Sequence, residues 1–175
     1  MTSLEAKVRS IIRDVPDFPK KGILFKDITP VLQDPATFDR VCAVLEGYAQ
    51  GRGTDVVAGI ESRGFIFGAA LALRMGRPFV PIRKKGKLPW KTVRQAINLE
   101  YGKDVIEIHR DAIEKGRRVL VVDDLLATGG TLAGACKLVE KVGGVVAGCA
   151  CLVELAFLKG RARLKGRDFF CIVRY

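Results

Sequence analysis

Short apolar segments alternate with helix-length segments from residue 55 onward, and this order constrains the fold more than any other feature. The apolar segments have the length of strands and are rich in Val, Ile and Leu: Val56 to Ile60, Pro78 to Arg83, Val119 to Val122 and Val145 to Val153. Such nearly continuous apolar runs are typical of strands buried on both faces. Strand, helix and strand in repetition predict parallel pairing with right-handed crossovers. We expect an α/β fold with a mostly parallel twisted sheet and helices on both faces.

The helices between and before these strands are indicated by spacing and capping residues. Ser62 to Met75 and Gly129 to Val142 separate the strands, while Ser3 to Arg13 has apolar residues at helical spacing with Ser3 as its N-cap. Asp34 and Pro35 form a cap and first helical position for a helix to about Gln50. Since 175 residues fit one domain, we expect a single domain over residues 1–175.

One segment breaks the alternation. Lys84 to about Asn98 is polar and basic and contains Gly86 and Pro89, so it is predicted to be a long loop. Long loops inside compact domains are usually functional.

Charge narrows the kinds of partner but does not choose among them. The chain has 30 Lys and Arg against 19 Asp and Glu, a net charge of +11. A basic chain attracts nucleic acid, anionic membranes or phosphorylated small molecules. The longest uncharged apolar stretch, Val142 to Val153, is shorter than the ~20 residues of a membrane-spanning helix.

Cysteine and histidine usage excludes several classes of site. The five cysteines form no C-x-x-C pair, and we expect them to be reduced in a cytoplasmic protein, because the first residues lack an apolar signal segment. Cys149 and Cys151 are predicted to face the same side of a strand, toward the core. His109 is the sole histidine, which excludes a His-based zinc site and a Ser-His-Asp triad.

The stretch from Val119 to Thr131 carries the chemistry. A buried strand is predicted to end in the adjacent carboxylates Asp123 and Asp124, and a small-residue turn then opens a helix. Gly129 and Gly130 let backbone N–H groups approach an anion, the flanking threonines add hydroxyl donors, and the helix N-terminus adds partial positive charge. This pattern predicts a phosphate-binding cradle. It is not a Walker A loop, because no Gly-Lys-Ser/Thr follows.

Two acids beside a phosphate site need a reason, because carboxylates repel phosphate. They suit sugar hydroxyl groups or a hard cation instead. A ribose 5-phosphate satisfies both features, with its phosphate at residues 127–131 and its 2- and 3-hydroxyls at Asp123 and Asp124.

The block from Val121 to Thr131 resembles the phosphoribosyl pyrophosphate (PRPP) signature of type I phosphoribosyltransferases. Five further segments, in the same order, resemble the adenine-specific members of that family: Phe25 to Ile28, Glu61 to Phe65, Arg83 to Pro89, Leu99 to Gly102 and Leu152 to Leu155. The resemblance implies the type I phosphoribosyltransferase fold, with a small N-terminal hood over about residues 1–34 and a flexible lid over about residues 84–101. It also implies transfer of phosphoribosyl from PRPP to adenine, giving AMP and pyrophosphate in purine salvage.

The resemblance further implies Mg²⁺ as cofactor, held mainly by substrate and water and not directly by side chains, and a homodimer with no nucleic-acid or membrane partner. The implied phosphoribosyl site comprises Asp123, Asp124, Ala127, Thr128, Gly129, Gly130 and Thr131. The implied pyrophosphate site comprises Glu61, Ser62, Arg63, Arg83, Lys84 and Lys87, with a cis peptide at Glu61–Ser62.

The base site is implied by the same resemblance. Phe25 would stack on adenine, and backbone groups of Leu24 and Lys26 would bind its edge. Glu100 would approach N7, as a catalytic residue together with Arg63 and the two aspartates, and Tyr101 would belong to the lid. Two positions depart from the family pattern: Lys26 replaces a frequent arginine, and Trp90 replaces a small or polar residue.

Two other functions remain open from the residues. The chain could transfer phosphoribosyl to hypoxanthine, guanine or xanthine. It could instead be a regulator that keeps this fold and binds nucleic acid through its basic face.

Overall fold

The computed structural model describes residues 3–99 and 102–175. In chain order its helices and strands are α1 (Leu4–Ile11), β1 (Arg13–Pro16), β2 (Leu24–Asp27), α2 (Thr29–Leu32), α3 (Pro35–Gln50), β3 (Val56–Ile60), α4 (Gly64–Met75), β4 (Phe79–Lys84), β5 (Thr92–Leu99), β6 (Gly102–His109), β7 (Arg118–Leu126), α5 (Gly130–Lys141), β8 (Val145–Glu154) and β9 (Phe169–Arg174). Two 3₁₀ turns, Ala156–Leu158 and Gly160–Leu164, connect β8 to β9.

The predicted parallel sheet is confirmed. Seven strands lie in the order β5-β6-β4-β3-β7-β8-β9, and the five from β4 to β9 in that order pair in parallel. All five residues of β3 are buried, as its apolar sequence predicted. At the other edge, β6 pairs antiparallel with both β4 and β5.

Helices cover both faces of the sheet. On one face α5 packs through Leu132, Leu138 and Val139 against Val119 and Val121 of β7. On the other face α1, α3 and α4 pack against the alternate residues of that strand, Leu120 and Val122. The prediction that Cys149 and Cys151 share a face is confirmed, since both lie in the cluster under α5.

The N-terminal segment follows the predicted capping. The Ser3 hydroxyl accepts a hydrogen bond from the Ala6 N–H, and Asp34 accepts from the Thr37 N–H and hydroxyl, so both caps are confirmed. β1 and β2 form a separate antiparallel pair. In the described part of the chain, no helix is both long and apolar enough to cross a membrane.

The prediction of a long loop from Lys84 to about Asn98 is wrong for the second half of that segment. Residues 92–99 form β5, which pairs with β6 from Thr92 opposite His109 to Leu99 opposite Gly102. Ile97 is 4% exposed and packs toward α5 at Gly134, where an added Cβ would overlap the isoleucine methyl group. The basic composition concealed strand residues whose apolar side chains alternate with polar ones.

Two predicted boundaries are also wrong. Contrary to the prediction, β7 does not end in the carboxylates: it continues to Leu126, which pairs with Glu154 of β8. The helix predicted from Ser62 begins at Gly64. Asp123 and Asp124 therefore lie within the strand, and the turn begins after Leu126.

Replacing one glycine in each of two helices separates packing from helix propensity. Gly47 in α3 has nothing within 4 Å of an added Cβ, whereas at Gly134 in α5 the added Cβ meets Ile97. Alanine is favoured over glycine in helices by about 0.5–1 kcal/mol. We expect Gly47→Ala to raise the melting temperature and Gly134→Ala to lower it, as measured by thermal circular dichroism. Equal increases in both variants would contradict the packing of β5 on α5.

Candidate active site

Asp123 and Asp124 form the centre of the site. Asp124 is 5% exposed and Asp123 is half-buried, and the Asp124 N–H donates to Asp123 Oδ1 at 2.9 Å. Burial, and then the adjacent Asp124 carboxylate, raises the pKa of Asp123 well above its usual value. Burial also raises the pKa of Asp124, against the opposing effect of Arg63. Two ionised carboxylates here need a positive or hydrogen-bonding ligand.

Arg63 is the cation nearest this pair. One of its terminal nitrogens lies 2.9 Å from Asp124 Oδ2, an ion-pair distance. The same buried oxygen accepts no directed hydrogen bond, so the contact is electrostatic and leaves the acceptor unsatisfied. Because an unsatisfied buried acceptor is costly, Asp124 Oδ2 is where a ligand donor or cation would be stabilised.

The predicted phosphate cradle lies directly beyond the carboxylates. α5 begins at Gly130, and Gly129 caps it at φ +80°, a conformation that favours glycine. No side chain caps the first turn, so its backbone N–H groups stay available to an anion. Thr128 and Thr131 flank the two glycines, and both side chains are partly exposed.

A close backbone contact from another segment supports the cradle. An added Cβ on Gly129 would overlap the Gly160 carbonyl, and one on Gly160 would overlap the Ala127 carbonyl. The two backbones therefore touch, and neither position has room for a side chain. Sequence reasoning missed Gly160, because nothing local distinguishes it from an ordinary turn glycine.

The predicted pyrophosphate residues surround a second part of the site. Glu61 accepts two hydrogen bonds from Arg83, at 3.0 and 3.1 Å, and one from the Lys84 N–H. Hydrogen bonding from Arg83 lowers the pKa of Glu61. The Glu61–Ser62 peptide is cis, as the resemblance implied. Thr131 joins Glu61, Arg83 and Lys84 in lining one cavity of about 230 Å³, so the cradle and this loop are neighbours.

Arg83 is already engaged in this arrangement. Besides Glu61, it donates to the Lys87 carbonyl at 3.0 Å. Lys84 Nζ lies 3.4 Å from Asp104. The pyrophosphate role of Arg83 stays a prediction, and its contacts show that it also orients the turn that carries Lys87.

Glu107 is a buried carboxylate that the sequence analysis missed. It is 1% exposed and accepts hydrogen bonds from the Gly86 and Leu88 N–H groups and from the side chains of Thr92 and Arg94. It therefore holds the turn between β4 and β5, which includes Lys87. A charged residue between Ile106 and Ile108 was the available signal, because buried charges need partners.

The predicted base-binding residues lie on β2. Phe25 is half-buried, its ring meets Phe18 edge-to-face at 5.0 Å, and the Arg63 guanidinium lies 5.1 Å from its centroid. The Lys26 side chain is buried, pairs with Asp14 and lies over Tyr175. Arg63 thus contacts both Phe25 and Asp124, and it joins the N-terminal segment to the carboxylates.

Glu100 and Tyr101 lie outside the described residues. Their predicted roles, at adenine N7 and in the lid, stay predictions.

The site has a carboxylate pair near the end of a central parallel strand, followed by a glycine turn without a side-chain cap. An arginine and a basic loop lie beside it. These features are those of an α/β transferase that acts on sugar phosphates. Residues 29–173 match the family model described as a phosphoribosyl transferase domain. The chain belongs to the phosphoribosyltransferase family.

Relatives and solved structures agree on the branch of this family. The chain is 56% identical over 165 residues to adenine phosphoribosyltransferase of Roseiflexus castenholzii, covering 94% of this chain and 96% of the relative. The crystal structure of adenine phosphoribosyltransferase from Thermoanaerobacter pseudethanolicus superposes with TM-score 0.95 at 51% identity, covering 99% and 100% of the two chains. The Saccharomyces cerevisiae enzyme, solved with adenine and an imino-altritol bisphosphate, gives TM-score 0.92 at 37% identity, covering 98% and 99%.

Asparagine at position 123 tests the charge state of the carboxylate pair. Because the pKa of Asp123 is raised, its ionised form costs stability above that pKa, and this cost is absent below the pKa of the unfolded chain. Asp123→Asn should raise the melting temperature near pH ~8 and leave it unchanged near pH ~3, where about 1 kcal/mol corresponds to roughly 2–4 °C.

Asp111→Asn is the matched control, since it makes the same charge change at an exposed residue. A lower melting temperature for Asp123→Asn than for the control at the higher pH would show that the pair is not strained by burial.

Proposed function

We propose that this chain transfers the 5-phosphoribosyl group from PRPP to adenine, forming AMP and pyrophosphate in purine salvage. The observation that carries this proposal is the position of Arg63, in contact with Phe25 on one side and 2.9 Å from Asp124 on the other. A flat base on Phe25 and a ribose on Asp124 would be adjacent, as the two parts of a nucleotide must be. The names of the curated relatives support the same activity.

The sugar is held by the carboxylates and the cradle. Asp123 and Asp124 accept hydrogen bonds from the ribose hydroxyls, and charge-assisted bonds of this kind are stronger than neutral ones. The backbone N–H groups of residues 127–131 donate to the 5-phosphate, with the hydroxyls of Thr128 and Thr131. The phosphate then anchors a reactive sugar at a defined distance from the base.

The residues present fit a magnesium ion. The unsatisfied Asp124 Oδ2 and its neighbour Asp123 are oxygen donors of the kind Mg²⁺ prefers, and Mg²⁺ usually takes few protein ligands with substrate phosphates and water. When bound, the ion would neutralise charge on the leaving pyrophosphate. These carboxylates would hold it through the ribose hydroxyls and water.

The leaving group faces the basic loop. Lys84, Lys87 and Arg83, with Arg63 and the backbone at Glu61 and Ser62, stabilise the negative charge that develops on pyrophosphate as the anomeric bond breaks. Glu61 and Glu107 keep that loop in place before substrate binds. Most of the rate enhancement then comes from positioning and electrostatics.

Specificity for adenine comes from the backbone of β2. Leu24 lies opposite Pro16, which has no N–H to donate, so the ladder favours bonding at Val15 and Phe25. Alternation then turns the polar backbone groups of Leu24 and Lys26 to the free edge of the strand. A carbonyl there accepts from the 6-amino group and an N–H donates to N1, a pairing that a 6-oxo purine cannot satisfy.

The lid proposed over residues 84–101 contains β5, whose Ile97 is buried against α5, so β5 stays in place and the segments on either side of it close. Its turn is rooted by Glu107, and closure over the sugar would exclude water from the reactive centre. Glu100 then reaches adenine N7 and accepts its proton as N9 bonds to the anomeric carbon and pyrophosphate leaves, and Tyr101 packs at the closed edge.

The assembly is proposed to be a homodimer in the cytoplasm, with small-molecule substrates and no nucleic-acid or membrane partner. The exposed face of α4 carries Ile66, 41% exposed, and Leu73, 84% exposed, two turns apart, an apolar stripe suited to a second copy. All five cysteines are free thiols, which suits a reducing compartment.

Light scattering of the purified protein should give the mass of a dimer, and a monomer at micromolar concentration would contradict the proposed homodimer.

An assay with three bases separates the candidate functions. Purified protein with PRPP and Mg²⁺ should form AMP and pyrophosphate from adenine, and convert hypoxanthine or guanine slower by at least about 100-fold.

Asp124→Asn should strongly reduce use of PRPP, with Asp111→Asn as control. Conversion of hypoxanthine but not adenine would overturn the base site, and salt-dependent DNA binding without turnover would favour the regulator.

A further inference from the structure

The basic segment from Lys159 to Arg167 has no role in the function proposed above, yet part of it touches the phosphate cradle. The 3₁₀ turn Gly160–Leu164 follows Lys159, which has φ +53°. The Gly160 backbone lies against Ala127 and Gly129, close enough that a Cβ on either glycine would overlap the backbone of the other segment. This turn is the outer support of the cradle.

The next residue is bound to a buried carboxylate. Arg161 donates to both oxygens of Glu154, at 2.7 and 2.6 Å, in a bidentate pair. Glu154 is 2% exposed and ends β8, where the Leu155 N–H donates to the Leu126 carbonyl of β7. The ion pair therefore ties the 3₁₀ turn to the end of β8, which pairs with β7, the strand that carries both aspartates.

The other end of the turn is fixed by packing. Leu164 is 1% exposed and belongs to the core under α5. With Leu164 in the core and Arg161 on Glu154, the backbone of Gly160 has little freedom to move away from Gly129. The cradle residues have no side-chain cap of their own, so their position depends on this support.

We propose that Arg161, held by Glu154, is a positioning residue for the 5-phosphate of the substrate. The proposal rests on the proposed function, because it assumes that a phosphate binds at residues 127–131. Arg161 acts through Gly160 and the backbone of the cradle, so it should affect binding of the phosphate and not binding of the base. A displacement of about 1 Å in such a support can cost on the order of 100-fold in rate.

Binding of AMP and of adenosine isolates the phosphate contribution. The two ligands differ only by the phosphate, and isothermal titration calorimetry measures each on the purified full chain. We expect wild-type protein to bind AMP more tightly than adenosine. Arg161→Gln should weaken AMP binding by about tenfold, equivalent to 1.4 kcal/mol, and leave adenosine binding unchanged.

Steady-state kinetics and further variants distinguish positioning from general destabilisation. Arg161→Gln should raise KM for PRPP more than KM for adenine, and Arg161→Lys should restore part of the loss, because lysine keeps the charge but not the bidentate geometry. Glu154→Gln should weaken AMP binding at least as much as Arg161→Gln, because Glu154 also lies near Arg174 and accepts from the Cys171 thiol. The double variant should lose less than the sum of the two single losses, since the residues are coupled. Arg74→Gln, which breaks ion pairs with Asp39 and Glu46 at the C-terminal end of α4, is the control.

Different results overturn different claims. Equal loss of AMP and adenosine affinity in Arg161→Gln, or no loss of either, would overturn the positioning role while leaving the proposed function intact. Wild-type protein that binds adenosine as tightly as AMP would overturn the proposed function and this proposal with it. If Arg161→Gln does not fold, Arg161→Lys carries the same comparison.

Discussion

Two adjacent carboxylates near the C-terminal end of a buried central strand are the feature on which the rest of the site depends. Burial raises the pKa values of both Asp123 and Asp124, and the Asp124 carboxylate adds to the rise at Asp123, so their ionised forms are costly without a ligand. Arg63 offsets part of that cost from 2.9 Å, without a directed hydrogen bond to the buried oxygen. The chain thus keeps a buried acceptor that lowers the stability of the free protein, and a ligand that donates to this acceptor is bound more tightly as a result.

The remaining parts of the site are positioned relative to that pair by contacts of three kinds. Backbone contact between Gly129 and Gly160 supports the turn for the phosphate. Two carboxylates, the half-buried Glu61 and the buried Glu107, hold the basic loop by accepting hydrogen bonds from arginines and backbone N–H groups. Arg63 connects the N-terminal segment to the aspartates through the Phe25 ring. Each contact holds its part of the site before a ligand arrives.

Much of the fold could be predicted from the sequence because the patterns that define strands and helix caps lie within a few residues. Apolar runs such as Val119 to Val122 and the caps at Ser3 and Asp34 define elements within a few residues, and the structure confirms them. The resemblance at residues 121–131 indicated the family, which the matching model over residues 29–173 confirms.

The errors arise where long-range contacts decide the structure. β5 forms because Ile97 reaches α5 and Glu107 binds the turn, and neither partner is near in sequence. β7 continues through Asp123 because β8 lies beside it. Gly160 and Arg161 follow the cradle by about thirty residues, so only the folded chain shows that they support it.

A crystal structure of the protein with AMP is the most direct measurement of the central claim. The account predicts the phosphoryl group within hydrogen-bond distance of the backbone N–H groups of residues 127–131, the ribose hydroxyls on Asp123 and Asp124, and the base against Phe25. A phosphoryl group bound anywhere else, for example at Lys84 and Lys87 with the ribose away from the aspartates, would contradict it.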